Sequence, residues 1–266
     1  MLRTRLWTAI VALPATIAIV LFAPAPAFTA FIAILSAVGL YEIIAMMRAN
    51  IREALLVATV GAASAIVLLS SAGSGFSAAA AIMVTVTMML LVARVGWEGA
   101  EQFARWRWAR RWLLLIGALW VGVLFPYFAL LRNHVGGVPI IVLMLLLVVA
   151  SDSGAYFAGR SLGRVKLLPR VSPNKTVEGA IGGLSACIIA AVALRPLLAP
   201  QWSIGAAVTM AAAVGVLAQF GDLAGSAFKR VAGVKDSGWL FPGHGGLLDR
   251  TCSLVFAVAF TYYYFR

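Results

Sequence analysis

Val138-Pro-Ile-Ile-Val-Leu-Met-Leu-Leu-Leu-Val-Val-Ala150-Ser-Asp152 carries no charge from Val138 to Ser151 and then reaches a carboxylate. The run shows no polar alternation, so it is not a barrel strand, and a helix is the form that satisfies its own backbone in lipid. A bilayer core about 30 Å thick takes roughly 20 helical residues at about 1.5 Å each. This run reads as a spanning helix over about 138–156. Similar runs lie to either side, at about 6–23, 27–46, 54–71, 76–95, 112–131, 177–194, 203–221 and 250–265. The first, third and last of these nine are short, and need a thin bilayer or interfacial anchors. Composition agrees. Of 266 residues, 63% are hydrophobic and 11% charged, with a mean hydropathy of +1.00. Soluble domains carry about 25% charged residues, so a soluble domain, a disordered tail and a coiled coil are excluded. The expected fold class is all-α: a polytopic integral membrane protein of about nine transmembrane helices.

The net charge of +12 suggests nucleic acid in a soluble protein. Here the basic residues sit between apolar runs, so they read as topology signals, and no nucleic-acid partner is expected. With the amino terminus inside, 18 of the 21 Lys and Arg fall on the inner side; only Arg132, Arg195 and Arg266 fall outside. That bias predicts a cytoplasmic amino terminus and a non-cytoplasmic carboxyl terminus. The first run resembles a secretory signal, with Ala23-Pro-Ala-Pro-Ala27 as a cleavage region, but another apolar run follows at once, so a retained helix is expected. Cys187 and Cys252 lie in apolar runs and suit neither a disulfide framework nor a zinc site. The segment from Trp97 to Trp112, rich in Trp and Arg, reads as an interfacial belt.

Nine acids are present. Glu42, Glu53, Glu98, Glu101 and Asp236 read as interfacial or loop charges. Asp152, Glu178, Asp222 and Asp249 lie at or near the cytoplasmic ends of four consecutive spans. Acids at that depth are costly, which marks them as functional candidates. Arg160, Lys175, Lys229, Arg230, Lys235 and Arg250 lie nearby in sequence. Carboxylates ringed by cations, with no His or Cys ligand set, suit a hard divalent cation with phosphate ligands; structural salt bridges at helix ends are the alternative. In Ser172-Pro-Asn-Lys175-Thr176-Val-Glu178-Gly, the Ser, Asn and Thr are helix-start residues before span seven. There is no GxxxxGK[ST], so this is not a P-loop.

The last inner loop is the most specific segment. It contains Gly221-Asp222-Leu-Ala-Gly-Ser226-Ala-Phe-Lys229-Arg230, then Lys235-Asp236-Ser-Gly238, then Pro242-Gly-His244-Gly-Gly246-Leu-Leu-Asp249-Arg250. It resembles the signature of the phosphatidate cytidylyltransferases, or CDP-diacylglycerol synthases. Asp-Ser-Gly-Ala-Tyr156-Phe-Ala-Gly-Arg over 152–160 and the segment 172–179 also resemble family motifs. The resemblance covers about the last 115 residues closely. It therefore divides the chain into amino-terminal helices, 1–135, and a catalytic region, 136–266, with cytoplasmic loops at 157–176 and 222–249. One position departs: the family usually carries an acid two residues after the Asp-Arg pair, where this chain has Cys252.

The resemblance implies transfer of a cytidylyl group from CTP to phosphatidic acid, giving CDP-diacylglycerol and pyrophosphate. It also implies Mg²⁺, sometimes with a monovalent cation such as K⁺, a homodimer, and a location in the cell inner membrane with the site facing the cytoplasm. By the same resemblance, Asp222 and Asp249 bind the metal and, with Lys229 and Arg230, form the catalytic group. Lys175, Ser172, Ser226, Lys235, Asp236 and Arg250 are expected at the substrates. Asp152 and Glu178 join the cation site or orient basic residues, and Tyr156 packs at the lipid entrance. His244 is open between substrate contact, loop structure and proton transfer. Other readings are another CTP-using lipid enzyme, a membrane transporter and a structural membrane protein. A transporter should show inverted repeats and midplane charges, whereas these acids sit at one edge.

Overall fold

The computed structural model describes residues 14–72, 74–105, 108–240 and 245–266. Helix α1 covers 14–22. It is followed by α2 (Ala25–Met46), α3 (Ile51–Ser70), α4 (Gly75–Glu98), the short α5 (Ala100–Ala104), α6 (Ala109–Leu124), α7 (Pro126–Asn133) and α8 (Gly137–Leu162). A ribbon of β1 (Lys166–Leu168) and β2 (Ser172–Thr176) precedes α9 (Val177–Leu198), α10 (Ile204–Val231) and α11 (Leu248–Phe265). Among the described residues, seven helices are long and apolar enough to cross a membrane, α6 and α7 counting as one over Ala109–Asn133. The protein is a polytopic helical membrane protein. On α3 and α4 the large apolar side chains of Ile51, Leu55, Ile66, Ile82 and Leu90 are exposed, as a lipid-facing surface requires.

The first expected span starts outside the described residues, and the last corresponds to α11, which is not among the seven. Three other sequence expectations change. The fifth span is broken: α6 ends at Leu124 and α7 restarts with Pro126 at its first position, because proline lacks the N–H that would continue the ladder. The inner loop at 157–176 is mostly ordered: α8 runs on to Leu162, and β1 pairs antiparallel with β2, Lys166 against Thr176 and Leu168 against Ser172. Ser172 is therefore a strand residue; the helix start is Thr176, whose side chain accepts from the Gly179 N–H. Finally, the loop expected from 222 begins only after Val231. Leu223, Ala224, Ala227, Phe228 and Val231 are buried and recur at helical spacing, so the chain has an apolar stripe to pack and stays helical.

Small residues bring α8 and α9 together. A Cβ on Gly182 would stand 2.2 Å from the Ala158 Cβ, and one on Gly154 would stand 2.5 Å from the Ala186 Cβ. Such sites let helix backbones approach where lipid offers no hydrophobic drive for association. Trp120 of α6 sits between Phe228 of α10 and Phe256 of α11, with ring centroids 6.0 and 6.1 Å away. This aromatic stack ties the amino-terminal helices to the pair α10–α11 that carries most of the site.

Candidate active site

The extension of α10 explains the site. On a helix, positions 222, 226 and 229–230 share one face. Asp222, Ser226, Lys229 and Arg230 form a partly exposed stripe opposite the buried one. The ribbon brings Lys175 of β2 back to this stripe. Its Nζ lies 2.6 Å from Asp222 Oδ2 and donates to the Gln219 carbonyl at 3.5 Å. Asp152, from the facing helix α8, is within electrostatic reach of Asp222, Lys175 and Arg250. These four residues come from α8, β2, α10 and α11.

The second group is more enclosed. Lys229 Nζ pairs with Asp249 Oδ1, with side-chain exposures of 17% and 6%. Asp249 Oδ2 accepts from the Ser237 N–H at 2.7 Å and the Gly246 N–H at 2.9 Å, and lies 3.0 Å from the Ser237 hydroxyl, whose single proton is shared with a second carboxylate, that of Glu42. Gly245 has φ +82°, a left-handed conformation that glycine adopts without penalty. A Cβ there would lie 2.4 Å from Asp249 Oδ2. Gly245 and Gly246 thus let the backbone approach the carboxylate directly. Cys252, one turn along α11, is buried against Gly221 and Gly225. Its Sγ lies 4.0 Å from the Asp249 carbonyl oxygen.

Several expected residues sit apart from these pairs. Glu178 turns both carboxylate oxygens to the Val165 N–H, each at 3.2 Å, and so holds the start of the ribbon. Tyr156 is exposed and accepts from Arg160 Nη1 at 2.8 Å on its own helix. Arg230 Nε donates to the Val171 carbonyl at 3.4 Å. Lys235 and Asp236 are exposed in the loop after α10, and Ser172 is half-buried on β2. His244 lies outside the described residues.

Sequence reasoning missed Glu42. It is not an interfacial charge: it is 3% exposed and accepts from the Ser237 hydroxyl at 2.8 Å and from the N–H groups of Leu247 and Leu248 at 2.6 and 2.9 Å. The signal was available, since Glu42 interrupts the apolar run of α2, where a carboxylate is expensive.

The donor set decides what cation could be held. Among the described residues there is no group of three or more His, Cys, Asp or Glu able to hold a metal. Asp222 keeps Oδ1 free of protein donors among those residues. Asp249 Oδ2 is filled by its contacts to Ser237 and Gly246, while Oδ1 meets only Lys229 among the described residues. Each carboxylate oxygen offers about two lone-pair sites, so one remains on Asp249 Oδ1. Two carboxylates with spare oxygens and no soft ligand fit Mg²⁺, which takes one or two carboxylates and completes its shell with phosphates and water.

Comparison with known proteins bears on this arrangement. The chain is 39% identical over 151 residues to the phosphatidate cytidylyltransferase of Bacillus subtilis (strain 168), covering 56% of this chain and 56% of that protein. It is 42% identical over 159 residues to the phosphatidate cytidylyltransferase of Brucella suis biovar 1 (strain 1330), covering 59% of this chain and 58% of the relative. An uncharacterized protein, YnbB of Escherichia coli (strain K12), is 39% identical over 161 residues, covering 60% of this chain and 52% of that protein. The chain thus spans a little over half the length of the relatives it matches. The model of the cytidylyltransferase family, by contrast, matches residues 3–266. That match takes in the amino-terminal helices as well as the charged residues of α8–α11, and by it this chain belongs to the cytidylyltransferase family.

Proposed function

We propose that the protein transfers the cytidylyl group of CTP to phosphatidic acid, forming CDP-diacylglycerol and releasing pyrophosphate, as a step of phospholipid biosynthesis. The observation that carries this reading is the pair of Lys–Asp contacts, Lys175–Asp222 and Lys229–Asp249, on helices that also offer Arg230 and Arg250. In this reaction a phosphate oxygen of the lipid attacks the α-phosphorus of CTP, and the bond to pyrophosphate breaks. The attacking phosphate is already ionised, so the chain has to supply placement and charge neutralisation more than a base.

The residues suit those tasks. Lys229, held by Asp249, is oriented before substrate arrives, so little reorganisation is needed when negative charge gathers. Lys175 is held by the more open Asp222 and can pass from that carboxylate to a phosphate. Arg230 and Arg250 add donors for phosphate oxygens, and Ser226 offers a hydroxyl on the same face. Asp222 and the spare lone pair of Asp249 would hold Mg²⁺, which would supply Lewis-acid neutralisation of the triphosphate.

The setting suits the substrates too. The lipid head stays at the leaflet surface and CTP arrives from the cytosol, so a site at the cytoplasmic membrane edge serves both. We place the amino terminus inside and the carboxyl terminus outside, with nine spans and two copies of the chain in the functional unit. A reporter fused after Arg266 is expected on the non-cytoplasmic face; a cytoplasmic reporter would overturn this topology. The activity is tested with purified protein, phosphatidic acid in mixed micelles, Mg²⁺ and labelled CTP. Labelled CDP-diacylglycerol and pyrophosphate are the expected products. Transfer to another lipid acceptor only, or no transfer at all, would refute the assignment.

A further inference from the structure

Glu42 belongs to α2, far in sequence from the charged motifs, yet its three hydrogen bonds all go to the segment that carries Asp249. Leu248 opens α11 and Leu247 precedes it. The first N–H groups of a helix have no partner within it and carry partial positive charge. Glu42 Oε1 takes the Leu247 N–H at 2.6 Å, and Oε2 takes the Leu248 N–H at 2.9 Å. The carboxylate therefore caps α11 from another helix, and the cap compensates its charge in an otherwise apolar setting.

The same carboxylate reaches Asp249 through one side chain. Ser237 Oγ lies 2.8 Å from Glu42 Oε2 and 3.0 Å from Asp249 Oδ2, while the Ser237 N–H donates to Asp249 Oδ2. Gly246 seals the junction. A Cβ there would stand 2.4 Å from Glu42 Oε1 and 2.3 Å from Ser237 Oγ. Asp249 in turn holds Lys229. A continuous set of hydrogen bonds thus runs from Glu42 through Ser237 and the start of α11 to Asp249 and Lys229.

We propose that Glu42 is a positioning residue: from the amino-terminal half of the chain it sets the place of Asp249, and through Asp249 that of the Lys229 ammonium. The proposal rests on the cytidylyl-transfer reading for its effect on turnover, but not for its effect on Lys229 itself. It makes the division at residue 135 a division of sequence only, since the carboxyl-terminal region takes part of its site geometry from α2.

The test uses the full chain with Glu42→Gln, Glu42→Asp, Ser237→Ala and the Glu42→Gln/Ser237→Ala double variant. Gln keeps the size, but its amide nitrogen cannot accept from a backbone N–H. Two readouts are taken: kcat and KM for CTP, and the rate at which a water-soluble amine reagent labels Lys229, followed by mass spectrometry with exposed Lys235 as control. Glu42→Gln is expected to lower kcat at least tenfold with KM within about twofold, and to speed Lys229 labelling at least threefold with Lys235 unchanged. Glu42→Asp should recover part of both, Ser237→Ala should show a smaller change in both, and the double variant should be no worse than Glu42→Gln alone. Wild-type kcat and labelling in folded Glu42→Gln would overturn the proposal. So would a loss of folded protein with unchanged kcat per folded molecule. If Glu42→Gln does not fold, Ser237→Ala decides by the same two readouts, and wild-type values there overturn the proposal. If the wild type makes no CDP-diacylglycerol, the cytidylyl reading fails and Lys229 labelling still decides the role of Glu42.

Discussion

The two Lys–Asp pairs differ in how much of each carboxylate the protein has used. Asp222 is 42% exposed, meets Lys175 at 25% exposure, and keeps an oxygen without a protein donor among the described residues. Asp249 is 6% exposed, meets Lys229 at 17%, and has its other oxygen filled by contacts to Ser237 and Gly246. The same two residue types thus make an open pair and an enclosed one. An exposed pair contributes about 0–1 kcal/mol, so Lys175 can leave Asp222 at small cost when phosphate or a cation arrives. An enclosed pair with one oxygen already filled keeps its geometry, because removing one partner strands a buried charge at about 3–5 kcal/mol. The open pair is the one that suits an exchange of partners, and the enclosed one suits holding the Lys229 ammonium in place.

Asp249→Asn should produce the largest effect. It leaves Lys229 without its counter-charge and turns an amide NH₂, a donor, toward either the Lys229 ammonium or the donors that meet Oδ2. Thermal unfolding in detergent should shift down clearly, and turnover should nearly vanish. A variant with unchanged stability would break the contrast between the pairs.

Asp222→Asn comes next and should separate the two properties. Stability should stay within about 1 kcal/mol, as for an exposed pair. Turnover should fall nearly as far as for Asp249→Asn, and the Mg²⁺ midpoint should rise. A metal titration of cytidylyl transfer at saturating CTP measures this. Wild-type turnover with an unchanged midpoint would remove Asp222 as a ligand and move Asp152 into its place.

Lys229→Ala and Arg230→Ala should have the smallest effects of the series, each at least about tenfold in kcat/KM, equivalent to about 1.4 kcal/mol. Steady-state kinetics on the purified variants would show it. Lys229→Ala should also lower the unfolding temperature, because Asp249 loses its cation, whereas Arg230→Ala should not. Equal stability losses would mean that the Lys229–Asp249 pair is no more structural than its neighbour.

Much of this was legible in the sequence, and the reasons differ between elements. The spans near 27–46, 76–95 and 138–156 correspond to α2, α4 and α8 because lipid imposes length and apolarity directly on each segment. The break at Pro126 was overlooked because hydropathy weighs side chains and ignores the missing N–H. The extension of α10 to Val231 escaped notice because charge was read as the end of a span, although a helix can leave the bilayer and continue along its own stripe. Lys175, Asp222, Lys229 and Asp249 stood out by type and motif, but their pairing did not.

Sequence by itself determined the membrane class, the family and the charged residues that the motifs carry, because solvation costs and local spacing act on each segment alone. Tertiary structure decided which lysine meets which aspartate, which carboxylate stays open, and that Glu42 works at the start of α11. Those outcomes depend on α2, β2, α8, α10 and α11 converging, and on glycines that let a loop approach a carboxylate. Hydrogen bonds act over about 3 Å, so no reading of one segment reveals a partner that packing alone brings within that reach.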